Sequence, residues 1–326
     1  MRVLVTGGAG YIGSHVVRQL RERGDEVVVV DDLRTGDERR IPGVPIVRSE
    51  LSEPASIGVV SDALAGVDAV IHFAGRKRVN ESVQRPAWYY QQNVGGMANL
   101  LLAMEAAGVE AMVFSSSAAV YGLSEGESIP ESAPALPINP YGHTKLVGEQ
   151  MLAAVAASRP FHSASLRYFN VAGAGSPELG DTAVLNLVPM VFEKLDAGES
   201  PVIFGADYPT PDGTCVRDYI HVADLASAHL AALGAVVEGR IRGNRAYNIG
   251  TGVGSSVREM VEAIEQASGV RIEPRIAARR EGDPAVVVAD PSLARDELGW
   301  VAEHGLREIV TSAWRSHELL VAGGHA

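Results

Sequence analysis

A strand, a glycine-rich turn, a helix and a second strand follow one another at the start of this chain, and this order restricts the possible folds most strongly. Residues 2–6 are a short apolar run rich in β-branched side chains, and glycines follow at once. Residues 11–23 carry apolar side chains at helical spacing. The run 26–31 contains consecutive valines without alternation, which is typical of a strand buried on both faces of a parallel sheet.

The same alternation of strand and helix recurs along the first half of the chain. We predict strands at 68–72, 111–114 and 163–168, a helical region ending at 107, and a helix from 141 to about 158. This pattern predicts an α/β fold, a Rossmann-type doubly wound parallel sheet. We expect residues 1–173 to form this domain, with a return segment near 216–250 that includes a helix over 221–236. Residues 174–326 are expected to form a smaller C-terminal α/β domain, with a helix over 184–197.

Composition limits the partners and the compartment. The 28 basic and 40 acidic side chains leave a formal net charge of −12, which opposes binding to nucleic acid. Cys215 is the one cysteine, and a lone thiol suits a reducing compartment such as the cytoplasm. The amino terminus reaches glycine too early for a signal peptide, and no apolar run approaches the ~20 residues of a membrane span. We expect neither a nucleic-acid partner nor a membrane partner, and no metal-ligand spacing is present.

The glycine turn has the spacing of a dinucleotide site. Gly7, Gly10 and Gly13 lie between the first strand and the first helix, where backbone amides without Cβ obstruction can approach a pyrophosphate. Asp31 ends the second strand, where a carboxylate accepts hydrogen bonds from ribose hydroxyls and repels a 2′-phosphate. These residues favour NAD over NADP, although Arg34 weakens the argument slightly.

A second group of residues indicates catalysis. Tyr141 and Lys145 lie four residues apart on one predicted helical face, and Ser117 follows a predicted strand. Lowering a tyrosine pKa from ~10 to ~7 requires about 4 kcal/mol, which a lysine and a nicotinamide cation in a dry site can supply. The tyrosine would then act as a general base toward a sugar hydroxyl. Tyr-x-x-x-Lys alone is also common on helix surfaces, so the hypothesis depends on the glycine turn and the serine.

Several longer motifs carry a family resemblance. The chain resembles the UDP-galactose 4-epimerases of the extended short-chain dehydrogenase/reductase family from Met1 to roughly Trp314. The stretches that carry the resemblance are residues 5–15, 72–77, 114–122, 167–170, 212–222 and 279–283.

The resemblance implies roles for individual residues. Tyr141 would be the base, Lys145 its pKa partner and a ligand of the nicotinamide ribose, and Ser117 a relay to the sugar O4. The residues implied to contact NAD are Gly7, Gly10, Tyr11, Ile12, Gly13, Asp31, Asp32, Glu50, Leu51, Phe73, Ala74, Gly75, Lys77, Asn93, Tyr141, Lys145 and Phe169. Those implied to contact the nucleotide sugar are Ser117, Tyr141, Asn170, Asn186, Leu187, Phe204, Arg217, Arg280, Asp283 and Val287. Glu50 stands where the family usually has aspartate.

The implied activity is reversible, NAD-dependent inversion at C4 of UDP-glucose and UDP-galactose through a bound 4-keto sugar. Val287 occupies the position that limits bulk near the sugar C2 group, and its moderate size predicts weak activity on UDP-N-acetylhexosamines as well. The family commonly forms homodimers, here through helices expected to span Ser82 to Ala107 and Tyr141 to Ala157.

Two alternatives remain open at this point. Nucleotide-sugar 4,6-dehydratases and UDP-glucuronate decarboxylases share the fold and cofactor, but dehydratases carry an acidic pair where Ala118 and Ala119 follow Ser117. A noncatalytic NAD-sensing regulator is the other alternative, and the presence of both Tyr141 and Lys145 disfavours it.

Overall fold

The structure is a computed structural model that describes residues 1–123, 126–280 and 282–323. Glu281, within the 279–283 motif, lies outside the described residues. The strands in chain order are β1 (Arg2–Thr6), β2 (Glu26–Asp31), β3 (Ile46–Arg48), β4 (Ala69–His72), β5 (Ala111–Ser115), β6 (His162–Tyr168), β7 (Asn170–Ala172), β8 (Val202–Phe204), β9 (Val216–His221), β10 (Asn244–Ile249), β11 (Gly254–Ser256), β12 (Arg275–Ala277) and β13 (Val286–Val287). The α-helices are α1 (Tyr11–Glu22), α2 (Ser56–Ala63), α3 (Val79–Gln84), α4 (Pro86–Tyr89), α5 (Gly96–Ala107), α6 (Pro140–Ser158), α7 (Leu187–Asp196), α8 (Val222–Val237), α9 (Val257–Ser268) and α10 (Leu306–Ala322).

The main sheet is parallel and has its first strand in the middle. Its seven strands lie in the order β3-β2-β1-β4-β5-β6-β10, and every neighbouring pair is parallel. The strand order reverses at β1, which pairs with β2 on one side and with β4 on the other. In sheets of this kind the ligand binds at the carboxyl ends of the strands beside the reversal.

Helices cover both faces of this sheet, which explains why its strands are apolar without alternation. Val3 and Val5 point to one face and belong to the core under α1 and α8, whereas Leu4 points to the other and joins the core under α2 and α5. All three side chains are fully buried. The predicted fold class, a Rossmann-type doubly wound sheet with a smaller C-terminal α/β part, is confirmed.

The segment from α8 to β10 returns to the main sheet. Strand β10 extends the sheet by pairing in parallel with β6, from Asn244 opposite Ser163 to Ile249 opposite Tyr168. Helix α8 packs against α1, and its buried Leu225 and Leu233 belong to the same apolar core as β1. The domain division at residue 173 itself stays a prediction.

The smaller part is built around β9. Strands β7, β11 and β13 pair with β9, and β8 pairs with β12. Asp218 on β9 is fully buried, and its carboxylate accepts hydrogen bonds from the amides of Thr251, Gly252 and Ala289. Burial raises the pKa of Asp218, while these hydrogen bonds oppose the shift. The carboxylate therefore holds β9, the loop after β10 and the segment after β13 together.

Two predicted helices have different limits from those expected. Helix α7 begins at Leu187 rather than at residue 184, because Asn186 is the extended N-cap and Pro189 is accommodated in the first turn. The region Ser82 to Ala107 is not one helix but α3, α4, a π-helical turn over Tyr90–Gly95, and α5. The break falls at Arg85 (φ −132°, ψ 55°), because the residue before Pro86 disfavours the helical conformation.

Candidate active site

The glycine turn between β1 and α1 is closely packed. A Cβ on Gly13 would lie 2.2 Å from the carbonyl oxygen of Gly7, and one on Gly7 would lie 2.7 Å from the amide nitrogen of Ala74. Gly7 also has a φ of +69°, which favours glycine. Gly10 is the N-cap of α1, so Tyr11 and Ile12 begin that helix. The turn therefore has the shape in which backbone amides can approach a pyrophosphate, and the residues present fit a dinucleotide.

Asp31 lies at the carboxyl end of β2 and is held by the backbone. One carboxylate oxygen accepts a hydrogen bond from the amide of Ala9 at 3.0 Å, and the other accepts one from the amide of Leu33 at 2.9 Å. Burial raises the pKa of Asp31, and the two amides oppose the shift. Each oxygen keeps a further lone pair, so the anchored carboxylate can still accept ribose hydroxyls.

Charged side chains beside Asp31 are paired with one another. Asp32 forms an ion pair with Arg76 at 2.7 Å, and Glu50 forms one with Arg34 at 2.7 Å. Gln92 donates to Glu50 at 2.8 Å, and this hydrogen bond is the main reason why the pKa of Glu50 is lowered. Arg34 is therefore engaged by a carboxylate, which weakens the argument that it would attract the 2′-phosphate of NADP.

The remaining residues predicted to contact NAD lie in three loops or turns near the same edge. Phe73, Ala74, Gly75 and Lys77 follow β4 directly. Leu51 follows β3 and is buried. Asn93 lies in the π-helical turn, an irregularity often found at functional sites, where its side chain accepts from the Arg76 amide at 2.7 Å and donates to Thr144 at 3.0 Å.

Tyr141 lies in the first turn of α6, and local packing fixes the orientation of this helix. The Asn139 side chain caps the helix by accepting a hydrogen bond from the Gly142 amide at 2.9 Å. A Cβ on Gly142 would lie 2.4 Å from the carbonyl oxygen of Ala119, so the helix packs tightly on the turn that follows Ser117. The Tyr141 phenol is buried and hydrogen-bonded to the Ser117 side chain. The structure therefore brings the predicted base and the predicted relay together.

Burial shifts the pKa values of Tyr141 and Lys145 in opposite directions. Burial raises the pKa of the Tyr141 phenol well above its usual 10, and the hydrogen bond with Ser117 opposes the shift. Burial lowers the pKa of Lys145 to about 8, and the negative charge of Glu149 opposes that shift. The Lys145 ammonium donates to the carbonyl oxygen of Ser115 at 2.8 Å. The lowered tyrosine pKa expected from the sequence requires the added cation of a nicotinamide and stays a prediction.

The sequence analysis overlooked a buried group behind Lys145. Glu149 forms an ion pair with Arg167 at 2.6 Å and accepts a hydrogen bond from Ser116 at 2.5 Å. Because Tyr141, Lys145 and Glu149 are spaced by four residues, their common helical face was a signal that could have identified Glu149.

Three of the residues predicted to bind the nucleotide sugar lie on β9 or on strands paired with it. Arg217 on β9 forms an ion pair with Asp283 at 2.5 Å, and Val287 on β13 is in register with Arg217. Further along β9, Asn170 on β7 is in register with Tyr219. The sheet thus places Asn170, Arg217 and Val287 on three neighbouring strands.

Two further sets of residues belong to this part. The guanidinium of Arg280 lies 4.0 Å from the centre of the Phe204 ring. Asn186 is the N-cap of α7, Leu187 is its first residue, and the Asn186 side chain donates to Asp181 at 3.1 Å. The amides at the start of α7 favour an anion.

Consecutive residues link the two parts of the site. Phe169, predicted to contact NAD, follows the end of β6, and Asn170, predicted to contact the sugar, begins β7. The Phe169 amide donates to the carbonyl oxygen of Ile249 at 3.2 Å, which fixes this crossing point against the end of β10.

Within residues 1–123, 126–280 and 282–323, no group of three or more histidine, cysteine or carboxylate side chains is placed to hold a metal ion. None of the helices found there is sufficiently long and apolar to span a bilayer.

Comparison with known proteins identifies the family. Residues 3–250 match the model of the NAD dependent epimerase/dehydratase family. The chain belongs to this family. A similar curated member is the UDP-glucose 4-epimerase of Azospirillum brasilense, 46% identical over 319 residues that cover 96% of this chain and 90% of the relative.

Solved structures of family members have the same fold along the whole chain. A UDP-glucose 4-epimerase from Stenotrophomonas maltophila with bound NAD and formylated UDP-arabinopyranose superposes with a TM-score of 0.94, at 41% identity, covering 99% of both chains. A UDP-Glc/GlcNAc 4-epimerase from Campylobacter jejuni superposes with a TM-score of 0.85, at 36% identity, covering 98% of this chain and 99% of that one. The resemblance to 4-epimerases inferred from the motifs is confirmed.

Proposed function

We propose that this family member is an NAD-dependent 4-epimerase that interconverts UDP-glucose and UDP-galactose. The observation that carries the proposal is the buried contact between the Tyr141 phenol and Ser117 at the carboxyl edge of a sheet whose glycine turn fits a dinucleotide. Residues 1–173, with the return segment 216–250, are assigned to NAD, and residues 174–326 to the nucleotide sugar.

The proposed cofactor site follows the edge of the sheet. The turn of Gly7, Gly10 and Gly13 takes the pyrophosphate, and Asp31 accepts the adenosine ribose hydroxyls. Lys145 is assigned to the nicotinamide ribose. The other proposed contacts are Tyr11, Ile12, Asp32, Glu50, Leu51, Phe73, Ala74, Gly75, Lys77, Asn93 and Phe169.

The proposed mechanism moves one proton and one hydride at C4 of the hexose. When bound, NAD would supply the hydride chemistry at C4, that is, oxidation of the alcohol to the ketone and reduction of the ketone from its opposite face. The Tyr141 oxygen accepts the proton of the 4-hydroxyl, directly or through Ser117, and gives it back to the 4-keto sugar. The Lys145 ammonium favours the charged form of the phenol. Both side chains are buried, which limits the access of water to the phenol and the ammonium.

The nucleotide half of the substrate is proposed to carry most of the binding. Arg217 and Arg280 pair with the diphosphate, which the acidic remainder of the chain would repel. Asn186, Leu187, Phe204 and Asp283 complete the proposed nucleotide site, and Asn170 and Val287 lie toward the sugar. A weakly held sugar can rotate and present its other face, whereas a firmly held one cannot.

The competing reactions are disfavoured by the residues beside Ser117. A dehydratase needs an acid and a base for elimination, and Ala118 and Ala119 supply neither. A regulator without catalysis does not require a buried tyrosine hydrogen-bonded to a serine.

The decisive experiment is proton NMR of UDP-galactose incubated with the purified protein in the absence of added NAD. We expect UDP-glucose to accumulate to equilibrium, because the protein carries its own cofactor. Tyr141→Phe should slow the reaction about a thousandfold while NAD content and thermal stability stay near the wild type. Tyr247→Phe is the matched control, since its hydroxyl bonds Glu297 away from the site. A 4-keto-6-deoxy product, no product, or wild-type rates in Tyr141→Phe would each refute the proposal.

We also propose a cytoplasmic homodimer. A reducing compartment suits a chain with the single cysteine Cys215. The dimer is assigned to α3–α5 and α6, where Val79 and Val83 of α3 are exposed and Tyr90 contacts His143 of α6. Cell fractionation tests the compartment, and the dimer is tested below.

A further inference from the structure

Three consecutive serines lie at the end of β5, of which Ser115 is the last strand residue, and each is bonded to a different part of the site. The carbonyl oxygen of Ser115 accepts a hydrogen bond from the Lys145 ammonium at 2.8 Å. Ser117 is bonded to the phenol of Tyr141. Ser116, between them, donates to the carboxylate of a buried residue on α6 at 2.5 Å. The position of Ser116 therefore affects both the Ser115 carbonyl, which accepts the hydrogen bond from Lys145, and the Ser117 hydroxyl.

The carboxylate that holds Ser116 belongs to Glu149. Its side chain is only 7% exposed and accepts three hydrogen bonds from Arg167, at 3.0 and 3.2 Å from Nε and at 2.6 Å from Nη2. A buried charge is tolerated only when it is paired and hydrogen-bonded, and this geometry satisfies both conditions. The pair fixes the Glu149 carboxylate in one orientation.

The network extends from Arg167 across the sheet. Its Nη1 donates to the hydroxyl of Tyr121 at 2.9 Å, and that hydroxyl donates to the Asn248 side chain at 2.7 Å. The Asn248 side chain donates in turn to the carbonyl oxygen of Ile129 at 2.8 Å. Helix α6, strand β6 and strand β10 are thereby joined behind the site.

Glu149 is also the negative charge closest in sequence to Lys145 on α6. The groups that surround the Lys145 ammonium are the Ser115 carbonyl and Phe114 ring on β5, with the ring centre 5.0 Å away, and His72 on β4. Burial lowers the pKa of His72 to about 3, so this imidazole is neutral. The Glu149 carboxylate opposes the loss of the lysine charge.

We propose that Glu149 is a positioning residue of the reaction. Through its hydrogen bond with Ser116, it holds the segment that contains Ser117 and the Ser115 carbonyl, to which Lys145 donates. Its negative charge stabilises Lys145 as an ammonium ion. The inference rests on the proposed epimerase function.

The first test is the pH dependence of kcat for Glu149→Gln between about pH 6 and pH 10. Glutamine keeps the shape of the side chain and an acceptor oxygen but removes the charge. Because a neighbouring negative charge favours the ammonium, its removal should move the alkaline limb of kcat about one pH unit lower. The KM for UDP-galactose should change less than about threefold, since Glu149 is placed away from the nucleotide. An unshifted alkaline limb would overturn the role of the charge.

Two variants separate charge from position. Ser116→Ala leaves the Glu149 carboxylate in place but removes its hydrogen bond to residue 116. We therefore expect kcat to fall about tenfold at every pH, while the alkaline limb of the kcat profile stays at the same pH. Unchanged kcat in Ser116→Ala would overturn the positioning role, even if Glu149→Gln did not fold. Tyr121→Phe removes a hydrogen bond of Arg167 without altering the charge, and its alkaline limb should match the wild type.

The wild-type protein distinguishes failure of this inference from failure of the proposed function. Absence of 4-epimerase activity in the wild type would refute the function. If the wild type is active and Glu149→Gln has the same alkaline limb of kcat, only the inference about Glu149 is refuted. NAD content and melting temperature of each variant show whether the fold is retained.

Discussion

Val287 is the residue whose size is expected to decide which sugars are accepted. It lies on β13 in register with Arg217, so its strand runs beside one proposed diphosphate ligand. We predict that Val287→Tyr lowers kcat/KM for UDP-N-acetylglucosamine relative to UDP-glucose at least about tenfold, because the larger ring occupies the space of the acetyl group. Steady-state kinetics on both substrates measure this ratio.

Val286→Tyr is the matched control for Val287→Tyr. Neighbouring strand residues point to opposite faces, so a ring at Val286 enters a different space and should leave the sugar preference unchanged. Equal preference in Val287→Tyr and the wild type would remove the assigned role of Val287.

The residues that carry the chemistry could be predicted to different extents from the sequence. Tyr141, Lys145 and Ser117 belong to spaced motifs, so local pattern was sufficient to propose them. Glu149 shares the helical face of Tyr141 and Lys145, but its ion pair with Arg167 on a distant strand leaves no local pattern, so its burial and pairing could not be predicted. The ion pair of Arg34 could not be predicted either, since its partner Glu50 follows a different strand.

At the scale of elements, the periodic helices and strands were predictable and the irregular ones were not. The β1–α1–β2 unit follows from a glycine turn between two apolar runs. The break of the predicted helix over 82–107 depends on Pro86, and the π-helical turn beyond it has no signal in apolar spacing. Short strands such as β13 form only because β9 provides a partner.

The exposed apolar residues of α3 lead to a prediction about assembly. Val83 is 60% exposed, and burial of such side chains against a second copy would stabilise a dimer. We expect the wild type to sediment at twice the 34.4 kDa chain mass, and Val83→Glu to shift toward the monomer, because a carboxylate would be buried in the interface.

Sedimentation velocity of Val253→Glu provides the control for Val83→Glu. Val253 is 67% exposed but lies between β10 and β11, far along the chain from α3. A monomeric wild type, or equal dissociation in both variants, would contradict the assignment of the interface to α3.

For the whole molecule, buried histidines predict sensitivity to acid. Burial lowers the pKa of His15, His221 and His229 to about 4 and that of His72 to about 3. Since these values lie below the unfolded value of about 6.5, unfolding takes up protons and stability falls as pH decreases through the range between them. From about pH 7 to 5 each histidine should lower the free energy of unfolding by about 2 kcal/mol.

Urea denaturation at the two pH values measures this loss. Buried carboxyl groups with raised pKa, such as Asp31 and Asp218, oppose it, because their protonation stabilises the folded state. His229→Asn should reduce the loss by about 2 kcal/mol. An unfolding free energy that is equal at both pH values would contradict the prediction.

The return of α8 and β10 to the main sheet means that the chain cannot be cut into two working halves. A fragment ending at residue 173 would leave β6 as a bare outer strand and would uncover the apolar surface under Leu225, Leu233 and Tyr247, all fully buried in the intact molecule. Such surfaces promote aggregation. Gene fusions, circular permutations or exchanges between family members should therefore join the chain elsewhere.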